Sequence, residues 1–430
     1  MDDKPKHSAR RKKSSAASVR DRQSIRRATR WMAFILVVVI AFCAGFFVRS
    51  QSDFMASLGF PVEKSSQSTG SAKETKTVHD SVSMRIAEVE DLLSRYSLDS
   101  YDLETSTYGM VDAMMKSTGD PYAAYYTPER YAAYVKEAGN RDYSGIGVLF
   151  AEYNGRAYAV DVFQGSEAEA KGVRQGDFVV AVDGDSSKTW SMAEVVKAVS
   201  RQEGQSVVVT WMRPTSLDAE KGSEFTTMLT CQKFDEQNVT TSLDDTVGTV
   251  KIRQITQNSA RLVEDAVRDL LEQGATSFVI DLRDNPGGYL TQAVDIASLF
   301  VQSGVLVQVQ GTDGVSTKTA SGVTLTDAPL VVLVNSYTSS AAEVLACALQ
   351  DNQRAEVVGQ TTMGKGSVQV MRELSFGGAI RYTAAYYLSP LGHDIDGIGV
   401  VPDVSISNGD DEVDTQMLIA QDTARSLSHS

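Results

Sequence analysis

Two short segments, residues 338–343 and 364–369, carry the side chains best suited to covalent hydrolysis. The first reads Thr-Ser-Ser-Ala-Ala-Glu and the second reads Gly-Lys-Gly-Ser-Val-Gln. Ser340 precedes an apolar run that predicts a helix, and the unpaired N–H groups at a helix start favour an oxyanion beside them. Lys365 lies between two glycines, which allow close backbone approach and burial of the lysine. The two residues, 25 positions apart, could therefore form a nucleophile and its base.

Each residue also has a simpler interpretation. Ser340 and Glu343 fit a capping box, and Lys365 could be an exposed loop lysine. To act as a base near neutral pH, a lysine must lose about three pKa units from ~10.4, which desolvation can supply at about 4 kcal/mol. Residues 359–365 also match the first part of a phosphate-binding loop. Gly366 follows where that loop requires Ser or Thr, so nucleotide binding is disfavoured.

The scarcity of histidine and cysteine restricts the chemistry further. A Ser-His-Asp triad would have to use His393, which lies in a turn-rich stretch, because the other three histidines are in the basic arm, a polar linker and the penultimate position. The three cysteines do not make a disulfide framework. No Cys or His spacing indicates zinc, and the carboxylates show no calcium-loop pattern. We therefore predict neither a metal nor a cofactor.

The charge of the chain is divided between its ends. Residues 1–30 carry eleven Lys or Arg against three Asp, whereas the whole chain has a net charge of −14. Residues 31–48 are uncharged and mostly apolar, which predicts a single-pass anchor in the cell membrane, and residues 49–77 read as a linker. The basic arm before this anchor places the N-terminus in the cytoplasm and the catalytic body outside it. Because membrane topology accounts for the positive charge of the arm, we do not predict that it binds nucleic acid. A cleaved signal peptide remains the alternative.

Beyond the linker, the patterns predict an α/β, multidomain chain. Residues 78–130 read as a small helical region and residues 131–232 as a strand-rich unit with two short helices. Residues 233–406 alternate strands and helices, and residues 407–430 form a tail. The continuous apolar run Leu330 to Val334 predicts a strand in a sheet covered on both faces.

A third segment, Asp281 to Gly288, leaves a predicted buried strand and enters a helix through Gly287 and Gly288. Such a turn exposes backbone N–H groups. It could complete an oxyanion hole opposite Ser340, although an ordinary strand-to-helix loop would look the same.

The order of these segments resembles the carboxyl-terminal processing peptidases, a family of tail-specific serine proteases. The resemblance rests on residues 281–288, 335–343, 351–355, 359–369 and 402–403, and extends from about residue 80 to 405. It implies an α/β protease core of the ClpP/crotonase-like type. It also implies that Ser340 is the nucleophile, that Lys365 is the general base and that Gln369 positions the lysine. The oxyanion hole would be formed by the backbone N–H groups of Ala341, Gly287 and Gly288.

The strand-rich unit resembles a PDZ domain through residues 143–148 and 165–177. Successive N–H groups of its loop, formed by Ser144, Gly145, Ile146 and Gly147, could hold a terminal carboxylate while the peptide adds as a strand. The family usually reads Ser-Ala-Ser-Ala-Ser-Glu where this chain has two adjacent serines, and its spacing selects Ser340, with Ser339 as the alternative.

The resemblance implies a serine endopeptidase that recognises exposed C-termini of proteins or peptides and cleaves through an acyl-enzyme. A homo-oligomer is possible. The alternative from another class is a PDZ scaffold with an inactive protease body, which would bind C-termini without cutting them.

Overall fold

A computed structural model describes residues 78–137, 144–234, 237–408 and 413–428. The chain divides into two units, Met1–Ser100 and Tyr101–Ser430. In the first unit, the described residues contain helix α1 (Val78–Tyr96). The apolar side chains that predicted this helix, Val82, Ile86, Val89 and Leu93, are all exposed.

The second unit begins with a small helical part, as the sequence predicts. Helix α2 (Leu103–Lys116) starts at Asp102, whose carboxylate accepts the Thr105 N–H at 2.7 Å. Strand β1 (Ala124–Tyr126) and helix α3 (Pro128–Glu137) follow. The tyrosines of β1 are buried, and Arg130 of α3 stacks on the Tyr126 ring at 4.2 Å from its centroid.

Residues 144–233 form a strand-rich module. Its elements are β2 (Ser144–Gly145), β3 (Val148–Tyr153), β4 (Arg156–Val162), α4 (Glu167–Ala170), β5 (Phe178–Val182), α5 (Met192–Val199), β6 (Ser206–Pro214), β7 (Gly222–Thr230) and β8 (Gln232–Lys233). Strands β3 to β7 pair in sequence order as an antiparallel sheet, which leaves β3 at one edge, and β2 pairs with β8. Phe150 and Trp211 stack in the core between this sheet and α5.

The remaining residues build a core of alternating strands and helices. Its elements are β9 (Val239–Asp244), β10 (Val247–Ile252), α6 (Ser259–Glu272), β11 (Ser277–Asp281), α7 (Leu290–Ser298), β12 (Val305–Gly311), β13 (Gly314–Thr319), β14 (Leu330–Val334), α8 (Ala341–Asp351), β15 (Glu356–Gly359), β16 (Ser367–Glu373), β17 (Ala379–Leu388), β18 (Val404–Ser405) and α9 (Thr415–Leu427). One sheet has the order β18-β15-β14-β11-β10-β9, parallel except for β9.

Both faces of this sheet are covered, as the apolar strand β14 predicts. Val332 and Val334 pack in the cluster that contains α6, α7 and α8, whereas Val331 and Leu333 pack with Ala420 and Ala424 of α9. Since alternate side chains of a strand point to opposite faces, every position of β14 must be apolar. A second sheet, β1-β17-β12-β13 with β16 on β17, lies beside it, and its β16–β17 hairpin turns at Gly377 and Gly378 as predicted.

The expectation of a single-pass membrane location is corrected. A helix needs about 20 consecutive apolar residues to cross a bilayer. Across the described ranges, no helix is both long and apolar enough to do so. The segment 31–48 on which that expectation rested lies outside the described residues, as do the basic arm and the linker. We therefore withdraw the membrane anchor and the orientation inferred from it.

Candidate active site

Ser340 lies at the junction between β14 and α8, in a backbone conformation that few residues adopt. Its φ of 57° and ψ of −124° place it among the positive-φ residues that are not glycine. The preceding loop is fixed by Thr338, whose hydroxyl donates to the Leu282 carbonyl at 2.8 Å. The Ser339 N–H donates to the Asn285 carbonyl at 2.9 Å. The backbone thus carries the serine at the start of a helix, in a strained turn held by two hydrogen bonds to the segment that follows β11.

Glu343 connects the serine to the lysine segment. Its side chain is fully buried, and its Oε2 accepts the Ser340 N–H at 2.7 Å and the Lys365 N–H at 2.8 Å. Its Oε1 accepts the Thr362 hydroxyl and the Gly364 N–H, both at 2.6 Å. Burial raises the pKa of Glu343 to about 7, although these four donors favour the ionised form. The capping box predicted from the sequence forms, but the same carboxylate also fixes the backbone of Lys365.

Lys365 is half-buried and its ammonium is desolvated, as a base near neutral pH requires. Desolvation lowers its pKa, Glu152 opposes that change, and the nearby Arg381 adds to it. The ammonium donates to the Glu152 carbonyl at 3.3 Å and lies 5.1 Å from the centroid of the Tyr122 ring. Among the described residues, no hydrogen bond joins Lys365 Nζ to Ser340 Oγ. The structure therefore couples the two backbones through Glu343 while the lysine side chain points to strand β3.

The sequence does not single out Glu152, yet this residue links the strand-rich module to the lysine through its main-chain carbonyl. Its carboxylate pairs with Arg381 at 2.9 Å and accepts the Met192 N–H of α5 at 3.0 Å. It is almost fully buried; burial alone would raise its pKa, but Arg381 and Lys365 hold that pKa below its ordinary value. No local pattern marks a glutamate at the end of a strand as a partner of a distant lysine.

The turn at Gly287 and Gly288 lies against the serine, as the sequence predicts. A Cβ on Gly287 would fall 2.6 Å from the Ser339 carbonyl and 2.8 Å from the Ala341 nitrogen. The Gly287 N–H, however, already donates to Asn285 Oδ1 at 2.8 Å. Within the described ranges, neither the Gly288 N–H nor the Ala341 N–H has a protein acceptor. These two groups are the better candidates for an oxyanion hole.

Gln369 is not brought to the lysine side chain. Its amide donates to the Ser367 hydroxyl at 3.0 Å, on strand β16. The role expected for it, positioning Lys365, stays a prediction.

The loop expected to bind a carboxylate, Ser144 to Gly147, precedes the edge strand β3. Ser144 and Gly145 pair with Lys233 and Gln232, and Ile146 is buried. Gly147 has a φ of 76°, and a Cβ there would collide with Ser166 at 2.4 Å. The loop conformation thus requires glycine at this position.

The module also contacts the segment that leads into the Gly287–Gly288 turn. Gln175 donates to Asp284 at 2.5 Å, and Asn335 donates to the same carboxylate at 2.7 Å. Burial raises the pKa of Asp284. Arg253 of the core pairs with Asp161 of the module at 2.7 Å. In the part of the chain that the structure describes, no group of three His, Cys, Asp or Glu side chains is arranged to hold a metal ion.

Comparison with known proteins identifies a peptidase family. The profile of peptidase family S41 matches residues 246–406. A carboxyl-terminal-processing protease of Synechocystis sp. is 37% identical over 306 residues, covering 69% of this chain and 70% of that protein. A probable CtpA-like serine protease of Staphylococcus aureus is 32% identical over 327 residues, covering 75% and 64% of the two chains. The chain belongs to peptidase family S41.

The structure of the photosystem II D1 C-terminal processing protease is also similar to this S41 peptidase. It has a TM-score of 0.62 at 29% identity, and the match covers 80% of this chain and 90% of that one. The resemblance predicted from the active-site segments is thus confirmed, and so is the prediction of a serine-type peptidase. The inactive scaffold is correspondingly disfavoured.

Proposed function

We propose that this S41 peptidase is an endopeptidase that captures protein C-termini on residues 144–233 and cleaves with a dyad of Ser340 and Lys365. The observation that carries the proposal is the Glu343 carboxylate, which binds the N–H groups of both residues at 2.7 and 2.8 Å. A buried acceptor shared by two segments fixes their relative position to within the length of a hydrogen bond. Ser339 lacks this link, which favours Ser340 as the nucleophile.

The proposed chemistry needs only groups of this chain. Neutral Lys365 takes the Ser340 proton as the serine oxygen attacks the scissile carbonyl, and the resulting ammonium protonates the leaving amine. The Gly288 and Ala341 N–H groups bind the oxyanion. Water then loses a proton to Lys365 as it attacks the acyl-enzyme, and the resulting ammonium protonates the departing Ser340 oxygen, which regenerates both residues. Before the first step, the Lys365 ammonium must lose its proton, and the amino group must leave the Glu152 carbonyl and reach the serine hydroxyl.

Capture of a C-terminus is supported by the free edge of the module. Among the described strands of its sheet, β3 pairs only with β4. The other edge of β3 can therefore accept an extended peptide. Gly145, Ile146 and Gly147 lie at the start of this edge, where a terminal carboxylate would meet successive N–H groups. The cleft beside the strand is apolar, which fits the apolar tails that such a groove would select.

The test is cleavage of a peptide with an apolar C-terminal tail by four purified proteins. Ser340→Ala and Lys365→Ala should each reduce turnover to the uncatalysed rate while retaining the circular dichroism spectrum of the parent. Ser339→Ala is the matched control and should keep its turnover. Persistent cleavage by either dyad variant would refute the assignment, and loss confined to Ser339→Ala would move the nucleophile by one residue. Labelling by an active-site serine reagent separates the enzyme from an inactive scaffold.

A further inference from the structure

The groove of the strand-rich module is nearly filled by a side chain of the protein itself. The groove lies between strand β3 and helix α5, and its lining includes Ile146, Phe150, Phe163, Val199 and Phe234. The cavity that remains measures about 10 Å³. This volume is at the lower limit for one water molecule and leaves no room for a peptide side chain.

Phe234 is the residue that closes this space. Its ring meets the Phe163 ring edge to face, with centroids 5.5 Å apart. The tip of the ring also lies against the carboxylate loop, because a Cβ on Gly147 would fall 2.9 Å from Phe234 Cζ. The preceding residues Gln232 and Lys233 form β8 and pair with the loop itself. The backbone therefore delivers the ring to the start of the groove.

The ring is not part of the core of the module. The core cluster includes Ile146, Phe150 and Val199, which are almost fully buried, but neither Phe163 nor Phe234. Phe234 is only half-buried. A ring that stabilised the module as a core residue would be surrounded on all sides, whereas this ring covers an apolar surface that solvent would otherwise reach.

We propose that Phe234 occupies the side-chain pocket of the groove in the free protein, so that a substrate C-terminus binds only after displacing it. The inference rests on the proposed capture of C-termini by this module. The ligand class follows from the occupant: a polypeptide whose last residue has a large apolar or aromatic side chain. Only molecules with an empty pocket can bind the peptide, so their fraction limits the apparent affinity for the peptide. Removal of the Phe234 ring should raise that affinity.

The test is binding of a fluorescent decapeptide that ends in Phe to the full chain, measured by anisotropy in the Ser340→Ala background to prevent cleavage. Phe234→Ala should bind at least about tenfold tighter than the parent. Phe225→Ala is the matched control, since it removes a half-buried ring from the same module outside the groove, and should not bind tighter. A peptide ending in Asp, and the Phe peptide with an amidated end, should bind weakly to every variant.

The outcomes separate the two proposals. Equal or weaker binding by Phe234→Ala, with the parent still binding the peptide, would overturn the internal competitor and leave C-terminal capture intact. Absence of binding by the parent and by every Phe234 variant would overturn capture, and the competitor with it. Phe234→Gln, which keeps the length of the side chain but removes the ring, should reproduce the gain. Cooperative urea unfolding of each variant verifies that the module is folded.

Discussion

Glu343 offers the sharpest test of the site, because replacing it with Gln removes a charge and leaves the shape. The carboxylate accepts four hydrogen bonds, two on each oxygen, whereas an amide keeps one oxygen and turns the other into a donor. In the best orientation the amide oxygen faces Ser340 and Lys365. The amide NH₂ then meets the Thr362 hydroxyl, which can accept, and the Gly364 N–H, which cannot.

Two opposing terms decide the stability of Glu343→Gln. Leaving the half-buried Gly364 N–H without an acceptor costs about 1–3 kcal/mol. Against this, the pKa of Glu343 is raised from 4.5 to about 7. A carboxyl with a raised pKa binds its proton more tightly in the folded state, so the wild type loses stability as pH rises from 4.5 to 7, by about 3 kcal/mol in total. The terms nearly cancel at pH 8, where we expect Glu343→Gln within about 2 kcal/mol of wild type.

The pH dependence isolates the carboxylate. Between pH 5 and pH 8, linkage predicts that the wild type loses about 2.5 kcal/mol relative to Glu343→Gln, since the amide does not titrate. The assay is urea unfolding of both proteins at the two pH values. Glu194→Gln is the matched control, because Glu194 also forms a capping box, on α5, but its pKa is lowered to about 2. It is ionised in the folded state at both pH values.

The Glu194→Gln difference should therefore be nearly the same at pH 5 and pH 8. If the curves of wild type and Glu343→Gln also ran parallel, the buried carboxylate would not titrate in this range and the reasoning would fail. Catalysis gives a second measurement. Glu343→Ala removes the acceptors of both Ser340 and Lys365, and should lower kcat by at least about a hundredfold, because each 1.4 kcal/mol is a factor of ten. A kcat within twofold of wild type, corrected for folded protein, would show that the shared carboxylate does not position the dyad.

Three further predictions concern the lysine and the serines. Since burial lowers the pKa of Lys365, the charge of the lysine destabilises the folded state at a pH below that pKa. Lys365→Met should therefore be more stable than wild type in urea unfolding at pH 7. This gain in stability should shrink as the pH approaches ~10.4. Glu152→Gln removes an anion that supports the protonated lysine, so the rising limb of kcat against pH should move to lower pH, and movement to higher pH would contradict the assignment. Ser340→Ala should abolish labelling by a serine reagent detected by mass spectrometry, and Ser339→Ala should not.

Helices and strands with continuous apolar runs or clear turn residues could be predicted from the sequence. Strands that depend only on hydrogen bonds to a neighbouring strand could not. Strand β14 and helix α8 have continuous apolar runs, and the β16–β17 hairpin carries two glycines at its turn. Strand β13 reads Gly-Val-Ser-Thr-Lys-Thr and is exposed at every position, so neither alternation nor an apolar run marks it. Its structure depends on the ladder with β12, and the sequence does not encode that partner locally.

The active site divides in the same way. The segments of Ser340, Lys365 and the two glycines could be predicted because each has a local signature of caps and turns. The Glu152 contact could not, since it joins residues 213 positions apart. The Gly287 N–H was assigned to the oxyanion hole because sequence shows only that the turn exposes donors. The acceptor that occupies it, Asn285, lies two residues away and becomes evident only from the side-chain geometry.

The two glutamates act on different parts of Lys365, and this division determines what can move. Glu343 binds the lysine N–H, so the backbone stays fixed relative to Ser340. Glu152 receives the ammonium on its main-chain carbonyl, which no side-chain substitution at that position removes. In the proposed mechanism, movement of the Lys365 amino group from β3 to the serine therefore requires rotation of the lysine side chain about a fixed anchor. Because a staggered side chain exchanges rotamers far faster than a backbone segment rearranges, the proposed dyad can form without refolding the turn that holds it.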